Sequence, residues 1–424
     1  MNRRPEQSAG RLERRRRIAL HLGRRHRREW RFRIAGIAAV GAALLFLALI
    51  LLNLFREGAS AFTQSKLALP VAYESAMSAA DTDYDALVLG ALAELLNVEP
   101  DRAQRRELRR LLSIDAAFIV RERFAGQPES GSRELVTVPA SANVDMLVKG
   151  QIDRSMPASR RPLSDQQIAW VDTLVESGAL KRQFNTALFS NGDSREPELA
   201  GIRSAVMGSF YMLLVTLTLA FPIGVATAVY LEEFAPRNRW ADIVEISINN
   251  LAAVPSIVFG LLGLAVFIDW FGFPRSAPLV GGCVLALLTL PVVIISSRAA
   301  IRGVPGSIRE ASLGLGASRM QVVMDHVLPL ALPGVLTGTI IGMSRALGET
   351  APLLMIGMVA FIVDVPAGLG DPATALPVQI YLWSDSPERA FAERTSAAIL
   401  VLLGFLLVMN LLAVLIRRSV EKKY

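Results

Sequence analysis

Long uncharged apolar runs constrain this chain more than any other feature. A helix needs about 20 apolar residues to cross the hydrocarbon core of a membrane. One run, Val327–Ser344, is interrupted by Arg345 and Glu349 and then resumes through Val363. With five further runs, the chain is predicted to be an all-α polytopic membrane protein with six transmembrane helices. The other five runs are Ile34–Phe55, Ser204–Leu231, Ile246–Ile268, Ser276–Ser297 and Thr395–Ile416.

Basic residues are concentrated at the N-terminus. Residues 1–33 contain thirteen arginines and three glutamates and directly precede the first span. This pattern predicts a cytoplasmic tail that also attracts anionic lipid headgroups. Nucleic-acid binding is not expected, because no nucleic-acid-binding fold surrounds the tail. Six spans return the C-terminal tail, residues 417–424, to the cytoplasmic side.

The domain organisation follows from these assignments. We expect a tail (1–33), a first transmembrane helix (34–55), an extracytoplasmic insert (57–203) and a five-helix membrane domain (204–416). The insert is predicted to be a small α or α+β domain, with "RELVTVP" as a strand. A helical pattern is expected from Ser164 to Phe184, opened by a capping box from Ser164 to Gln167. It shows no catalytic constellation. The single cysteine, Cys283, excludes an intrachain disulfide and a cysteine-rich metal site, so no metal is expected.

Residues 309–334 form the first local motif, "REASLGLGASRMQVVMDHVLPLALPG". Its pattern predicts a short helix, a tight turn at the glycines and a second short helix before the next span. Small side chains between Ala311 and Ala317 would let another protein surface approach closely. An amphipathic loop lying on the membrane explains the same residues equally well, so both interpretations stay open at this point.

The second motif, "SRALGETAPLLMIG" (Ser344–Gly357), places two charges and a proline inside an apolar span. At about 100° per residue, Glu349 lies about 20° and Arg345 about 60° from the glycine face before it, so both charges should project near that face. Pro352 is expected to kink the helix. The face consists of glycines at four-residue spacing, which predicts close helix packing: Gly334, Gly338 and Gly342.

Arg345 and Glu349 have two interpretations. Unpaired charges at mid-membrane cost about 2.5–3.5 kcal/mol each on insertion scales, so both need partners or water. They can neutralise each other as a structural pair that sets helix register. Alternatively, they line a translocation path, where the fork of an arginine suits a tetrahedral oxyanion. Arg298, at the end of the fourth predicted span, is interpreted as an anchor at the membrane surface.

Both motifs resemble those of known transporters. Residues 310–329 resemble the EAA coupling loop of ATP-binding-cassette (ABC) import permeases, with Ser312 in place of the second alanine. The segments "SRALGETAPLLMIG", "FPIGVATAVYLEEFAP" and "TALPVQIYLW" resemble the PstA permease family of bacterial phosphate importers, in its longer variant with an N-terminal domain of unknown function. The resemblance implies a type I ABC importer core (MetI-like) from about Glu196 onwards. It also assigns coupling to the ATPase to these residues: Glu310, Ala311, Ser312, Gly316, Ala317 and Ser318.

The resemblance further implies partners and a path for the substrate. The partners would be a second, PstC-like permease, a PstB-like ATPase dimer and an extracytoplasmic, PstS-like phosphate-binding protein. No glycine of this chain is followed by lysine, so the phosphate-binding loop of an ATPase is missing. The chain is therefore not expected to be an enzyme or to bind a cofactor; ATP and Mg would belong to the partner ATPase. The implied path residues are Arg345, Glu349, Thr350 and Arg298.

We therefore expect a permease subunit of an ATP-driven importer of inorganic phosphate, in the bacterial inner membrane, that works by alternating access. A permease for another oxyanion, sulfate or molybdate, is the nearest alternative. A membrane-anchored sensor or scaffold is an alternative of a different class. A sensor would need a cytoplasmic signalling domain, and the longest internal segment predicted to be cytoplasmic has only about 29 residues.

Overall fold

The computed structural model describes residues 5–72, 83–124, 133–236 and 238–420. The chain divides into two compact units, residues 1–56 and 57–424. The first unit is formed by helix α1 (Pro5–Ala61), whose last residues belong to the second unit. The first predicted span lies inside this helix.

The first part of the second unit is an α+β domain. Strand β1 pairs in an antiparallel manner with β2 on one side and with β3 on the other, so that Leu67 is opposite both Val138 and Leu180. Alternate residues of β1 are buried beneath the helices, as expected for a strand with one covered face. The elements are β1 (Thr63–Ala72), α2 (Tyr84–Leu96), α3 (Arg102–Arg109), α4 (Ala116–Phe124), β2 (Arg133–Pro139), α5 (Ala142–Val148), α6 (Asp165–Glu176), β3 (Leu180–Phe184) and α7 (Ala187–Ser190).

Local sequence signals in the insert correspond closely to these elements. The predicted strand "RELVTVP" is β2, with the same bounds. The Ser164–Gln167 capping box is formed at the start of α6. The helical pattern after Ser164 does not continue to Phe184, however. Helix α6 ends at Glu176, Gly178 adopts a left-handed conformation with φ of 72°, and the chain then forms β3.

The remaining residues of the second unit form the membrane domain. Helix α11 lies at its centre and packs against α8, α10 and α14. Short π-helical turns follow α8, α10 and α13. The helices are α8 (Arg203–Val229), α9 (Arg239–Ala252), α10 (Ser256–Gly263), α11 (Pro278–Arg302), α12 (Gly306–Gly314), α13 (Arg319–Gln321), α14 (Leu328–Gly348), α15 (Ala351–Met355), α16 (Leu376–Ser384) and α17 (Ala390–Val420).

Among the described residues, five helices are long and apolar enough to cross a membrane. A sixth candidate is the pair 239–252 and 256–270, which is bent by 100°. The expected span Ile246–Ile268 therefore corresponds to a bent pair of helices and not to one continuous helix. The break lies immediately before Pro255, because proline disfavours the helical conformation of the residue that precedes it and lacks the N–H that would continue the helix.

Candidate functional site

The coupling segment has the predicted form of helix, glycine turn and helix. Helix α12 ends at Gly314, and Gly316 takes a φ of 89° that residues other than glycine rarely adopt. Ser318 then caps α13 in a capping box with Gln321. Since an added Cβ at Gly316 would meet nothing within 4 Å, the turn requires glycine for its backbone conformation and not for a contact within this chain.

The six predicted coupling residues do not all face the same way. Glu310, Ala311, Gly316 and Ser318 are exposed, and Ala317 is half-buried. Ser312 is buried, and its hydroxyl donates to the Ile308 carbonyl at 2.8 Å. Sequence reasoning missed Leu315, which is 91% exposed beside the turn. Its position between two glycines was the available signal, because a leucine without local neighbours invites an external contact.

Arg309 attaches α12 to the membrane helices. Its guanidinium donates to Glu233 Oε1 at 2.7 Å and to the carbonyls of Val304 at 2.7 Å and Ile301 at 2.9 Å. Glu233 belongs to the turn that follows α8, and Ile301 belongs to α11. Charge-assisted hydrogen bonds are stronger than neutral ones. Arg309 therefore connects α12 directly to α11 and to the turn that follows α8.

The glycine face of α14 packs against α11. A methyl group on Gly338 would come within 2.0 Å of Ser296 Oγ, and one on Gly342 within 2.9 Å of Thr289 Cγ2. Gly334 likewise lies in contact with α11. These glycines let the two backbones approach more closely than larger residues would.

Arg345 lies outside that packed face. Its side chain is 58% exposed, and its Nε is 3.6 Å from Glu349 Oε1. The expectation that both charges project from the packed face was therefore wrong for Arg345, because its angular offset carries a long side chain out of the contact. A separation of 3.6 Å exceeds hydrogen-bond distance, so the guanidinium has no hydrogen-bond partner among the residues that the structure describes.

Glu349 and Pro352 mark a break between two helices. Helix α14 ends at Gly348, Glu349 is extended, and Pro352 lies in the first turn of α15. Pro352 was expected to kink a continuous helix, but it lies at the start of a new helix instead. Its missing N–H costs nothing at that position. Thr350 precedes α15 without forming a side-chain cap, so its hydroxyl is not used by the helix.

Arg298 is in a very different environment. It is only 9% exposed, and it donates to Glu232 Oε1 at 2.6 Å and to Glu245 Oε2 at 2.9 Å. Arg302 donates to the second oxygen of Glu232 at 2.8 Å. These ion pairs join the end of α8, α9 and α11. The geometry favours the interpretation of Arg298 as an anchor, because its guanidinium is already bound by two carboxylates.

Sequence reasoning missed the acidic partners of these arginines. Glu232 and Glu233 stand together after α8, and Arg298 and Arg302 share one face of α11 at four-residue spacing. The spacing showed a paired basic face, but the identity of its partners depends on long-range packing. Within the described residues, no group of three or more His, Cys, Asp or Glu side chains is arranged to hold a metal ion.

Two family models match this chain. Residues 220–424 match the binding-protein-dependent transport system inner membrane component. Residues 19–158 match a domain of unknown function (DUF3333). The first match covers the coupling segment and the Arg345–Glu349 pair, and the second covers most of the insert.

Individual proteins are similar to parts of this chain. The probable ABC transporter permease protein YqgI of Bacillus subtilis is 39% identical over 155 residues, which are 36% of this chain and 52% of that protein. The inward-facing MetNI methionine ABC transporter has a chain with a TM-score of 0.41 and 21% identity, covering 52% of this chain and 97% of the other. The phosphate transport system permease protein PstA 1 of Mycobacterium tuberculosis is 35% identical over 217 residues, 51% of this chain and 70% of that protein. The chain therefore belongs to the PstA family of ABC importer permeases.

Proposed function

We propose that this chain is a permease subunit of an ATP-driven importer of inorganic phosphate. The observation that carries the proposal is an exposed arginine with unused donors, Arg345, in a span of a PstA-family permease. An arginine fork matches the oxygens of a tetrahedral anion. Substrate would pass Arg345, with Glu349 and Thr350 beside it.

The exposure of Arg345 supports a place on the translocation path. A charge that faces the hydrocarbon core is costly, and the ion pair with Glu349 offsets this cost only in part. Water or a second protein at this face removes the cost. A path between this permease and a second, PstC-like permease supplies both, and Glu349 then holds the guanidinium in place between substrate ions.

The coupling segment supports an ATP-driven mechanism. Exposed Glu310, Ala311 and Leu315 offer a docking surface for a PstB-like ATPase dimer, which would bind ATP and Mg. Closure of the ATPase dimer would displace α12, and Arg309 would pass this displacement to α8 and α11. The spans then alternate between inward-facing and outward-facing arrangements. This chain supplies the translocation path and the coupling helix α12, and it performs no covalent chemistry.

The proposed location follows from the charge pattern and the family. The chain lies in the bacterial inner membrane with both termini in the cytoplasm, because the arginine-rich tail favours that side. The insert is then extracytoplasmic, on the side where a PstS-like binding protein delivers phosphate. Family membership supports phosphate over sulfate or molybdate, and a permease over a sensor or scaffold.

Uptake of radiolabelled anions tests the proposal. Cells that lack this chain but retain the partner subunits receive the wild-type chain, and phosphate, sulfate and molybdate are compared at micromolar concentration. We expect restoration of phosphate uptake alone. Restoration of sulfate or molybdate uptake instead would retain the permease and overturn its substrate.

A charge swap separates the path from the structural pair. Arg345→Glu with Glu349→Arg preserves mutual neutralisation but moves the guanidinium away from its position on α14. We expect uptake by the swapped variant to be about 100-fold lower than that of the wild type, because one aligned charge contact in the transition state is lost. Full activity of the swapped variant would return both residues to a purely structural role.

A further inference from the structure

Lys149 lies buried where the insert meets the last span. Its side chain is only 2% exposed, at the end of α5. Nζ is 2.7 Å from Asp145 Oδ2 on the same helix and also contacts Glu393 Oε1, in the first turn of α17. Lys149 and Glu393 are 244 residues apart in sequence. A fully buried ion pair therefore joins the insert to a membrane helix.

Both carboxylates that contact Lys149, those of Asp145 and Glu393, accept further hydrogen bonds, and together these groups form a buried cluster. The second oxygen of Glu393 accepts hydrogen bonds from Gln151 Nε2 at 2.6 Å and from Ser60 Oγ at 2.9 Å. The second oxygen of Asp145 accepts from the backbone N–H of Ser65 at 2.7 Å. The cluster thus ties β1, α5 and the following loop to α17. Complete bonding is what allows such charges to be buried.

The next residue of α17 also contacts the insert, and these contacts together form the junction between the insert and α17. Arg394 is buried and donates to the carbonyl of Ala200 at 3.2 Å, in the turn before α8. Glu198 and Arg394 line one small cavity together with Asp145 and Glu393. Lys149 and Arg394 therefore balance Asp145 and Glu393, while Glu198 remains the additional acidic group.

The C-terminal half of α17 contacts α14, the helix that carries Arg345. Ser344 Oγ donates to Asn410 Oδ1 at 2.8 Å, and Arg417 donates to Thr337 at 3.1 Å. Met343 and Leu347 of α14 pack into one apolar cluster with α17 side chains. A displacement at the start of α17 therefore reaches the neighbours of Arg345 through direct contacts.

An insert that served only as a tether would not need such a junction. Contacts between domains of one chain are usually modest and allow relative motion. Buried ion pairs contribute little net stability compared with apolar packing of the same volume, but they strongly disfavour any other arrangement of the same groups. The junction therefore favours one defined position of the insert on α17.

We propose that Lys149 is a positioning residue that locks the insert onto α17, so that the insert moves with the last span and holds α14 and Arg345 in register during transport. This role rests on the proposed function. The insert, whose family model carries no function, is then a working part of the permease. Lys149 acts through Glu393 and does not touch the substrate.

The test compares variants in the complete transporter with all its partner subunits. Lys149→Met removes the cation that contacts both Asp145 and Glu393. Arg154→Met is the matched control, because Arg154 forms an exposed pair with Asp172 at 2.9 Å in the same domain. Lys149→Glu with Glu393→Lys restores one cation between two carboxylates. Phosphate uptake is measured per assembled transporter as a function of phosphate concentration.

We expect Lys149→Met to lower the maximal rate about tenfold with an unchanged half-saturating concentration, because turnover and not substrate capture depends on the junction. The control and the swap should stay within about twofold of the wild type. Equal rates for Lys149→Met and Arg154→Met would overturn the proposal. Absence of phosphate uptake by the wild type would instead overturn the proposed function.

The swap keeps the test decisive if Lys149→Met does not accumulate. Accumulation and uptake of the swapped variant then support a specific ion pair across the junction. A swapped variant that accumulates but does not transport, or that also fails to accumulate, overturns the proposal.

Discussion

Arg298 and Arg345 both lie in apolar spans, on α11 and α14, but Arg298 is buried and Arg345 is exposed. Arg298 is 9% exposed and bound by two carboxylates at 2.6 and 2.9 Å. Arg345 is 58% exposed and has one carboxylate at 3.6 Å. The first guanidinium is satisfied within the chain, and the second is not. We propose that this difference separates an arginine that stabilises the fold from one that contacts the substrate.

The same contrast distinguishes the two ends of the coupling pathway. Arg309 forms three close hydrogen bonds inside the chain, while Glu310 and Leu315 beside it are exposed. The hydrogen bonds of Arg309 hold α12 to the membrane helices, and we propose that the exposed side chains contact the partner ATPase. A helix that passes motion between two proteins needs both properties at adjacent positions.

Removing Arg298 should have the largest effect on stability. Arg298→Met leaves Glu245 without its arginine and Glu232 with only Arg302. Deleting one partner of a fully buried ion pair costs about 3–5 kcal/mol. That value is the upper bound here, because Glu245 is 42% exposed and Glu232 retains Arg302. Thermal unfolding in detergent and the amount of assembled transporter measure the loss. An unchanged unfolding temperature would show that the cluster is not structural.

A buried carboxyl, that of Glu198, extends the comparison to pH. Burial raises the pKa of Glu198 from an ordinary value of 4.5 to about 7. The folded chain therefore holds this proton while the unfolded chain loses it, and stability falls as the pH rises from 4.5 to 7.

Glu198→Gln, which mimics the neutral acid, should be more stable than the wild type by up to about 3 kcal/mol at pH 8, since each pKa unit corresponds to about 1.4 kcal/mol. The difference should largely vanish at pH 4.5. Unfolding temperatures of both proteins across this range check the prediction. A constant difference would mean that Glu198 is ionised throughout.

Removing Arg302 should have the smallest effect, although it binds the same carboxylate as Arg298. Its side chain is 60% exposed, and exposed ion pairs contribute less than about 1 kcal/mol. Arg302→Met should therefore shift the unfolding temperature only slightly. A loss as large as that of Arg298→Met would show that burial does not decide the importance of an arginine here.

Sequence patterns predicted the elements whose causes are local. The alternation in "RELVTVP" predicted β2, the Ser164–Gln167 capping box predicted the start of α6, and the glycines around Gly316 predicted the coupling turn. The break before Pro255 was missed because the apolar composition continues through it. Hydrophobicity identifies a span, but backbone chemistry at one residue decides whether the span is straight.

The ion-pair clusters depend on contacts that no local pattern reveals. Lys149 and Glu393 are 244 residues apart, and nothing in either neighbourhood indicates the other. Arg345 was found because a charge inside an apolar run is conspicuous in sequence. Its exposure was not predicted, since helical periodicity gives an angle but not the reach of a long side chain.

The most direct test compares Arg345→Ala and Arg298→Met side by side, each measured for phosphate uptake per assembled transporter and for unfolding temperature in detergent. We expect Arg345→Ala to lower phosphate uptake by about 100-fold or more at an unchanged unfolding temperature. Arg298→Met should unfold at a lower temperature while its assembled fraction still transports. Normal uptake by Arg345→Ala, or a loss of stability in that variant as large as in Arg298→Met, would contradict the distinction between an available and a saturated arginine.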